Sequence, residues 1–303
     1  MVDSTRDRDS GLHPRRPTQE RLLEALFQQG VRAAALAVAG LLVWIAALVL
    51  IQAWPAMRTL GFQFLITRAW SPPLGRYGLW PSLYGTVASA AIALLLAGPI
   101  GLGVAICLSE DYLPPRVRSL LIALVELLAA VPSVVYGLWG LFVLIPWLKT
   151  FTALAGPGLL PAALVLAIMI LPIIAALVRE ALGQIPPELR QAALSLGATR
   201  WETLLWVVMP AATSGIIGAI MLALGRALGE TMAATMLIGN ATSRVEVSLL
   251  APASTIAALL ANQFAEAQGL QVAALMYAAL VLFALTFAVN LLAHLALRRL
   301  QRF

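Results

Sequence analysis

Charge is scarce in this chain. Only 11% of its 303 residues are Asp, Glu, Lys or Arg, where a soluble domain carries roughly a quarter. That excludes a soluble globular enzyme and a disordered regulator. Cysteine occurs once, at Cys107, so no intrachain disulfide forms and a secreted disulfide scaffold is excluded. The two histidines, His13 and His294, make no metal-ligand spacing with that cysteine. Lysine also occurs once, as Lys149 after Leu148. No glycine-rich loop ending in Gly-Lys-Ser/Thr is therefore present, and the chain does not hold ATP in that manner. Three of the four aspartates stand in the first ten residues and the fourth is Asp111. No serine–histidine partner accompanies them, no catalytic constellation or fixed-period repeat is visible, and no cofactor is expected.

Apolar residues are abundant instead, at 61%, with a mean hydropathy of +0.91. Uncharged or nearly uncharged runs cover 33–51, 83–108, 120–148, 159–178, 208–225 and 272–297. Each is long enough for the ~20 residues of a membrane-spanning helix. Lipid offers backbone groups no partners, so these runs must be helices or a closed barrel. Continuous runs of this length are unlike the alternating ten-residue strands of a barrel. The expectation is an all-α, polytopic membrane protein with six transmembrane helices. Residues 1–30 read as a flexible cytoplasmic tail and 31–303 as one transmembrane domain.

Six spans place both termini on one side of the bilayer. Of the 20 basic residues, fourteen fall in the termini and the 2–3 and 4–5 loops. Five fall opposite (Arg58, Arg68, Arg76, Lys149 and Arg244), and Arg226 lies within a span. That excess makes the termini cytoplasmic and assigns the net charge of +6 to loops that anchor spans rather than to nucleic acid. Trp54, Trp80, Tyr84 and Trp147 sit near span ends, as interfacial anchors do.

The 4–5 loop, residues 179–207, is the most informative polar stretch. Pro187 suits a first helical position and Gly197 the residue past a helix end. Between them Leu189, Ala192, Ala193 and Leu196 recur at spacings of three and four, an apolar stripe. Thr199 with Glu202 reads as a capping box opening the next helix, which enters the membrane at Pro210. The amphipathic helix fits docking into a groove of another protein or lying on a lipid surface; its own residues do not decide between them.

Three ionisable residues, Glu126, Arg226 and Glu230, fall inside spans. Each costs ~2.5–3.5 kcal/mol at mid-span on insertion scales, so such residues face a bundle interior and mark pathways. Arg226 and Glu230 are four apart and share a helical face on which they can pair. They form either a structural ion pair or the charged lining of an ionic path. Arginine suits an oxyanion, which it binds bidentately. Glu126 is either a path residue or an interfacial one. Pro132 breaks a backbone hydrogen bond in mid-span, with the Ser133 hydroxyl able to repair it, giving a static kink or a hinge. Gly137, Gly140, Gly215 and Gly218 are expected to allow close helix packing.

Two sets of motifs resemble a known family. Gln191-Ala192-Ala193, three residues, Gly197, nine residues, then Val207-Val208-Met209-Pro210 resembles the EAA loop of ABC-importer permeases, with Gln191, Val207 and Met209 in place of Glu, Ile and Leu. The stretch from Gly225 through Arg226 and Glu230-Thr231-Met232 to Asn240 resembles the fifth span of phosphate-specific importer permeases, in its C-type rather than A-type form. Glu126 to Gly140, with Pro132-Ser133, resembles the third span of that subunit, and three further segments (Tyr77 to Thr86, Ser248 to Ala257, Asn262 to Glu266) fit in order. The resemblance covers about residues 30–300. It implies a type I ABC-importer permease fold in the inner membrane and import of inorganic phosphate by alternating access. It further implies an A-type permease partner, two ATP-binding subunits and an external phosphate-binding protein. Gln191, Ala192, Ala193, Gly197 and Pro210 would couple to the ATPase, and Arg226, Glu230 and Glu126 would line the path. A permease for another oxyanion such as sulfate or molybdate, and a stand-alone channel or secondary transporter, are the alternatives.

Overall fold

The computed structural model describes residues 18–110, 112–243, 246 and 248–300. The first seventeen residues of the expected tail, with Arg6, Arg8, Arg15 and Arg16, lie outside them, as do Asp111, Arg244 and Arg302. The helices in chain order are α1 (Thr18–Leu60), α2 (Gln63–Ile66), α3 (Trp80–Ser109), α4 (Pro115–Ala130) and α5 (Ser133–Trp139). A π-helical turn, Gly140–Leu144, joins α5 to α6 (Ile145–Lys149). Then come α7 (Leu159–Gly183), α8 (Pro187–Ser195) and α9 (Arg200–Thr203), a second π-turn at Leu204–Val208, and α10 (Met209–Ala211). The last four are α11 (Thr213–Gly229), α12 (Met232–Leu237), α13 (Ile256–Gln263) and α14 (Leu270–Leu300).

The helix α1 begins at Thr18, inside the stretch expected as a tail. After Pro17 the residues are good helix formers with no glycine until Gly30. The chain divides into two units between Leu48 and Val49. In the first unit the side chains of residues 26–45 are exposed, Leu36, Leu42 and Trp44 among them.

Within the rest of the chain, helices are tied by small residues. Ala90, Ala93, Ala97, Gly101 and Ala105 form a buried stripe along α3, facing Ile170, Ile174 and Val178 of α7. A Cβ on Gly101 would stand 3.0 Å from Ile174. Lipid supplies no hydrophobic drive between helices, so close approach of small residues does the packing. Ala219 and Ala223 of α11 complete this core. A second cluster joins Phe64, Trp70 and Tyr77 to α13 and α14, with Phe64 stacked on Tyr277 at 4.6 Å.

Among the described residues, four helices are each long and apolar enough to span a membrane: Leu26–Leu60, Trp80–Ser109, Leu159–Gly183 and Leu270–Leu295. Two bent pairs, Pro115–Ala130 with Ser133–Lys149 at 92° and Arg200–Ala211 with Thr213–Gly229 at 69°, bring the number to six. The all-helical six-span expectation therefore holds, with two spans sharply bent. Both π-turns end two residues before a proline, Pro146 and Pro210. Proline withholds an N–H and its ring crowds the carbonyl four residues earlier. The wider turn re-pairs the ladder: Ile145 donates to Gly140 and Met209 to Leu204, each five residues back.

Candidate functional site

The bend in the third span is a full break. Val131 and Pro132 are extended (ψ 128° and 141°), and the helix restarts at Ser133. Loss of helix leaves carbonyls at the α4 end without donors. The Tyr136 hydroxyl, not Ser133, answers one of them, donating to the Leu128 carbonyl at 2.9 Å. Val131 N–H reaches the same oxygen at 3.3 Å.

A second break falls where the sequence suggested a continuous helix. α11 stops at Gly229, Glu230 is extended (ψ 121°), and α12 restarts at Met232. Of the two readings the sequence left open, an ion pair or a charged lining, the ion pair is not formed: the Glu230 carboxylate turns forward to the α12 backbone instead of back to Arg226. Glu230 is 8% exposed and its carboxylate accepts the Ala233 N–H at 3.3 Å, satisfying the first turn of α12. Arg226 is exposed, in the last turn of α11.

The two restarted segments pack on one another through glycines. A Cβ at Gly137 would lie 2.7 Å from the Met236 sulfur and 3.3 Å from the Ala233 Cα. At Gly140 it would lie 2.8 Å from Leu237 and 2.9 Å from Val165. Gly215 is equally tight, 2.4 Å from the Ala181 Cβ, but Gly218 has nothing within 4 Å. Its helical spacing from Gly215 suggested a shared face, yet only one of them meets a neighbour.

Glu126 is not brought to Arg226 and Glu230. It faces Arg179 of α7 at 3.3 Å, with side chains 60% and 27% exposed. Sequence reasoning counted Arg179 only as a loop charge, and no local signal marks it as the partner of a residue 53 positions away.

The loop after α7 forms as its residues require. Pro187 opens α8, and Leu196 ends it with its N–H bonded to the Ala192 and Ala193 carbonyls. Gly197 takes φ +89°, the left-handed conformation that favours glycine at this position. Thr199 and Glu202 make a reciprocal capping box: Thr199 N–H donates to the Glu202 carboxylate at 2.7 Å and Glu202 N–H to the Thr199 hydroxyl at 3.3 Å. The apolar stripe is not the packed face, however. Of Leu189, Ala192, Ala193 and Leu196 only Ala193 is buried, while Leu196 is 90% exposed. Gln191 and Ala192 are exposed as well. The inward-facing neighbour of Ala193 is Arg190, which pairs with Glu110. Pro210 lies just before the 69° bend at Ala212.

A helical bundle with two broken spans, an exposed arginine at one break and a capped, outward-facing loop helix is the architecture of a polytopic membrane transport subunit. The family of binding-protein-dependent transport system inner membrane components matches residues 97–302, and the chain belongs to that family. It is 43% identical to the phosphate transport system permease protein PstC of Mesorhizobium japonicum over 92% of this chain and 91% of that one. It is 40% identical to PstC of Pasteurella multocida over 93% of each. The probable PstC of Methanocaldococcus jannaschii is 36% identical over 82% of this chain and 85% of its own. Among solved structures, a chain of a bacterial alginate ABC transporter, in complex with a periplasmic protein bound to an alginate pentasaccharide, shares the fold. Its TM-score is 0.62 at 18% identity, covering 92% of this chain and 98% of that one. A chain of the inward-facing MetNI methionine ABC transporter gives 0.56 at 20% identity, over 76% and 99%.

Proposed function

We propose that this chain is the C-type membrane subunit of an ATP-driven importer of inorganic phosphate. The observation that carries the reading is Arg226, an exposed guanidinium in the last turn of α11 beside the break at Glu230, in a chain over 40% identical along most of its length to a relative named for phosphate transport. A guanidinium matches the oxygens of phosphate with paired donors, and low dielectric strengthens each of them. Glu230, turned to the α12 backbone, leaves Arg226 unneutralised by its sequence neighbour. Glu126 with Arg179 forms a second charged point on α4 and α7. Phosphate passes without chemical change, so the path needs charge and shape but no nucleophile.

ATP hydrolysis belongs to separate subunits. The exposed Gln191, Ala192 and Leu196 face of α8 seats in a cleft of an ATP-binding subunit. A second, A-type permease lines the other side of the path, and an external phosphate-binding protein delivers the anion. The excess of basic residues on one side puts the termini and α8 in the cytoplasm. When two ATP-binding subunits close, they move α8, and the bundle swings about breaks such as Pro132–Ser133, opening the path outward. The test is phosphate uptake by cells carrying Arg226→Ala or Gly197→Asp chains that still insert. Both are expected to lose most uptake; wild-type uptake in both would refute the mechanism.

A further inference from the structure

The side chain that anchors α8 from within is Arg190, and its bonds reach two other elements. Its guanidinium pairs with Glu110, the residue that ends α3. It also donates to the Leu182 carbonyl at 3.0 Å, in the last turn of α7. Arg118 of α4 donates to the Leu108 and Ser109 carbonyls at 2.6 and 3.2 Å, fastening α4 to that same α3 end. Tyr112, in the α3–α4 turn, stacks on Trp201 of α9 at 5.8 Å between centroids. Glu110, Tyr112, Arg118 and Arg190 line a cavity of about 490 Å³ beside α8. The ion-paired side chains are 23% and 21% exposed. At that burial, deleting either partner leaves a poorly solvated charge rather than a harmlessly lost surface pair.

We propose that Glu110 and Arg190 are positioning residues that lock the coupling helix to the ends of α3 and α7, so that a displacement of α8 becomes a displacement of those two spans. Covalently, α8 is joined to α7 only through residues 184–186, and to α9 through a turn pivoting on Gly197. Such connections let a short helix rock without moving the membrane segments. The Arg190 fork removes that freedom. Because α3 and α7 pack on each other along their small-residue stripe, they travel as one body once α8 is fixed to both. The outward side chains of α8 then receive force while the inward pair transmits it. Neither part works alone.

The transport readout of this inference rests on the phosphate-import reading, but the geometric readout does not. In nanodiscs, spin labels at Ser195→Cys and Val117→Cys in a Cys107→Ser background report the α8–α4 distance. The wild-type brace gives a single narrow distribution, and Glu110→Gln broadens it; equal widths overturn the proposal. In proteoliposomes holding the whole complex, ATP hydrolysed per phosphate imported is expected to rise about tenfold in Glu110→Gln, the effect of losing one charge-assisted bond. ATPase activity persists in that variant. The exchange Glu110→Arg with Arg190→Glu restores the ion pair to α3 but not the donation to the Leu182 carbonyl, and recovers part of the stoichiometry, which a merely destabilised fold would not do. Unchanged stoichiometry in Glu110→Gln also overturns the brace. A wild-type complex that hydrolyses ATP but imports no phosphate instead sinks the substrate reading, and the distance measurement still decides the brace.

Discussion

Two glycine-to-alanine changes have opposite expected signs. At Gly140 the added carbon falls 2.8–2.9 Å from Leu237 and Val165, where apolar carbons normally rest at about 3.5–4.0 Å. Both neighbours are fully buried, so they cannot swing away and the π-turn must move out by about 0.7 Å to restore contact distance. Overpacking of this kind costs ~1–3 kcal/mol. At Gly218, inside α11, nothing lies within 4 Å. Alanine there only restricts the unfolded chain and gains ~0.5–1 kcal/mol. The two variants should therefore differ by roughly 1.5–4 kcal/mol. Heating each in one detergent and following loss of native tryptophan fluorescence should show Gly140→Ala melting below the parent and Gly218→Ala at or above it. Gly140→Ala should also impair transport, because it wedges apart the two restarted segments. Equal shifts in the same direction would refute the packing argument.

Three further outcomes are expected. Arg226→Ala should lower phosphate uptake at least tenfold, as loss of a bond to a charged group (~1.5–3 kcal/mol) implies, with Arg226→Lys intermediate because it keeps charge but not the bidentate fork; uptake assays on membranes with matched protein levels check this. Gly197→Ala should weaken recovery of the ATP-binding subunit in pull-downs. With open space around it, the penalty is the ~1–2 kcal/mol of placing a side-chain-bearing residue at φ +89°. Tyr136→Phe should cost about 1 kcal/mol by stripping the Leu128 carbonyl of its hydroxyl donor, visible as a lower melting temperature, whereas Ser133→Ala should change stability little.

The helical class and the six spans were legible because lipid forces long apolar runs into helices, and each run is self-evident along the chain. The coupling loop was legible to the residue, since Pro187, Gly197 and the Thr199–Glu202 box act within one turn of themselves. What escaped is non-local. The break at Glu230 leaves no proline behind, and its stabilising contact, Glu230 to the Ala233 N–H, resembles a helical continuation in sequence. The partners of Glu126 and Arg190 stand 53 and 80 residues away, where spacing carries no information. The stripe on α8 left its partner open, because apolarity alone does not say whether a helix meets lipid or another protein.

The central claim is that this chain forms, with its partners, an ATP-driven path for phosphate. The direct measurement is uptake of labelled phosphate into proteoliposomes containing the copurified complex, with the external binding protein supplied and ATP enclosed on the ATPase side. Uptake that requires both ATP and the binding protein, and that excess unlabelled phosphate abolishes while sulfate and molybdate do not, is the expected result. Phosphate movement that proceeds without ATP, or import that follows sulfate or molybdate instead, would contradict it.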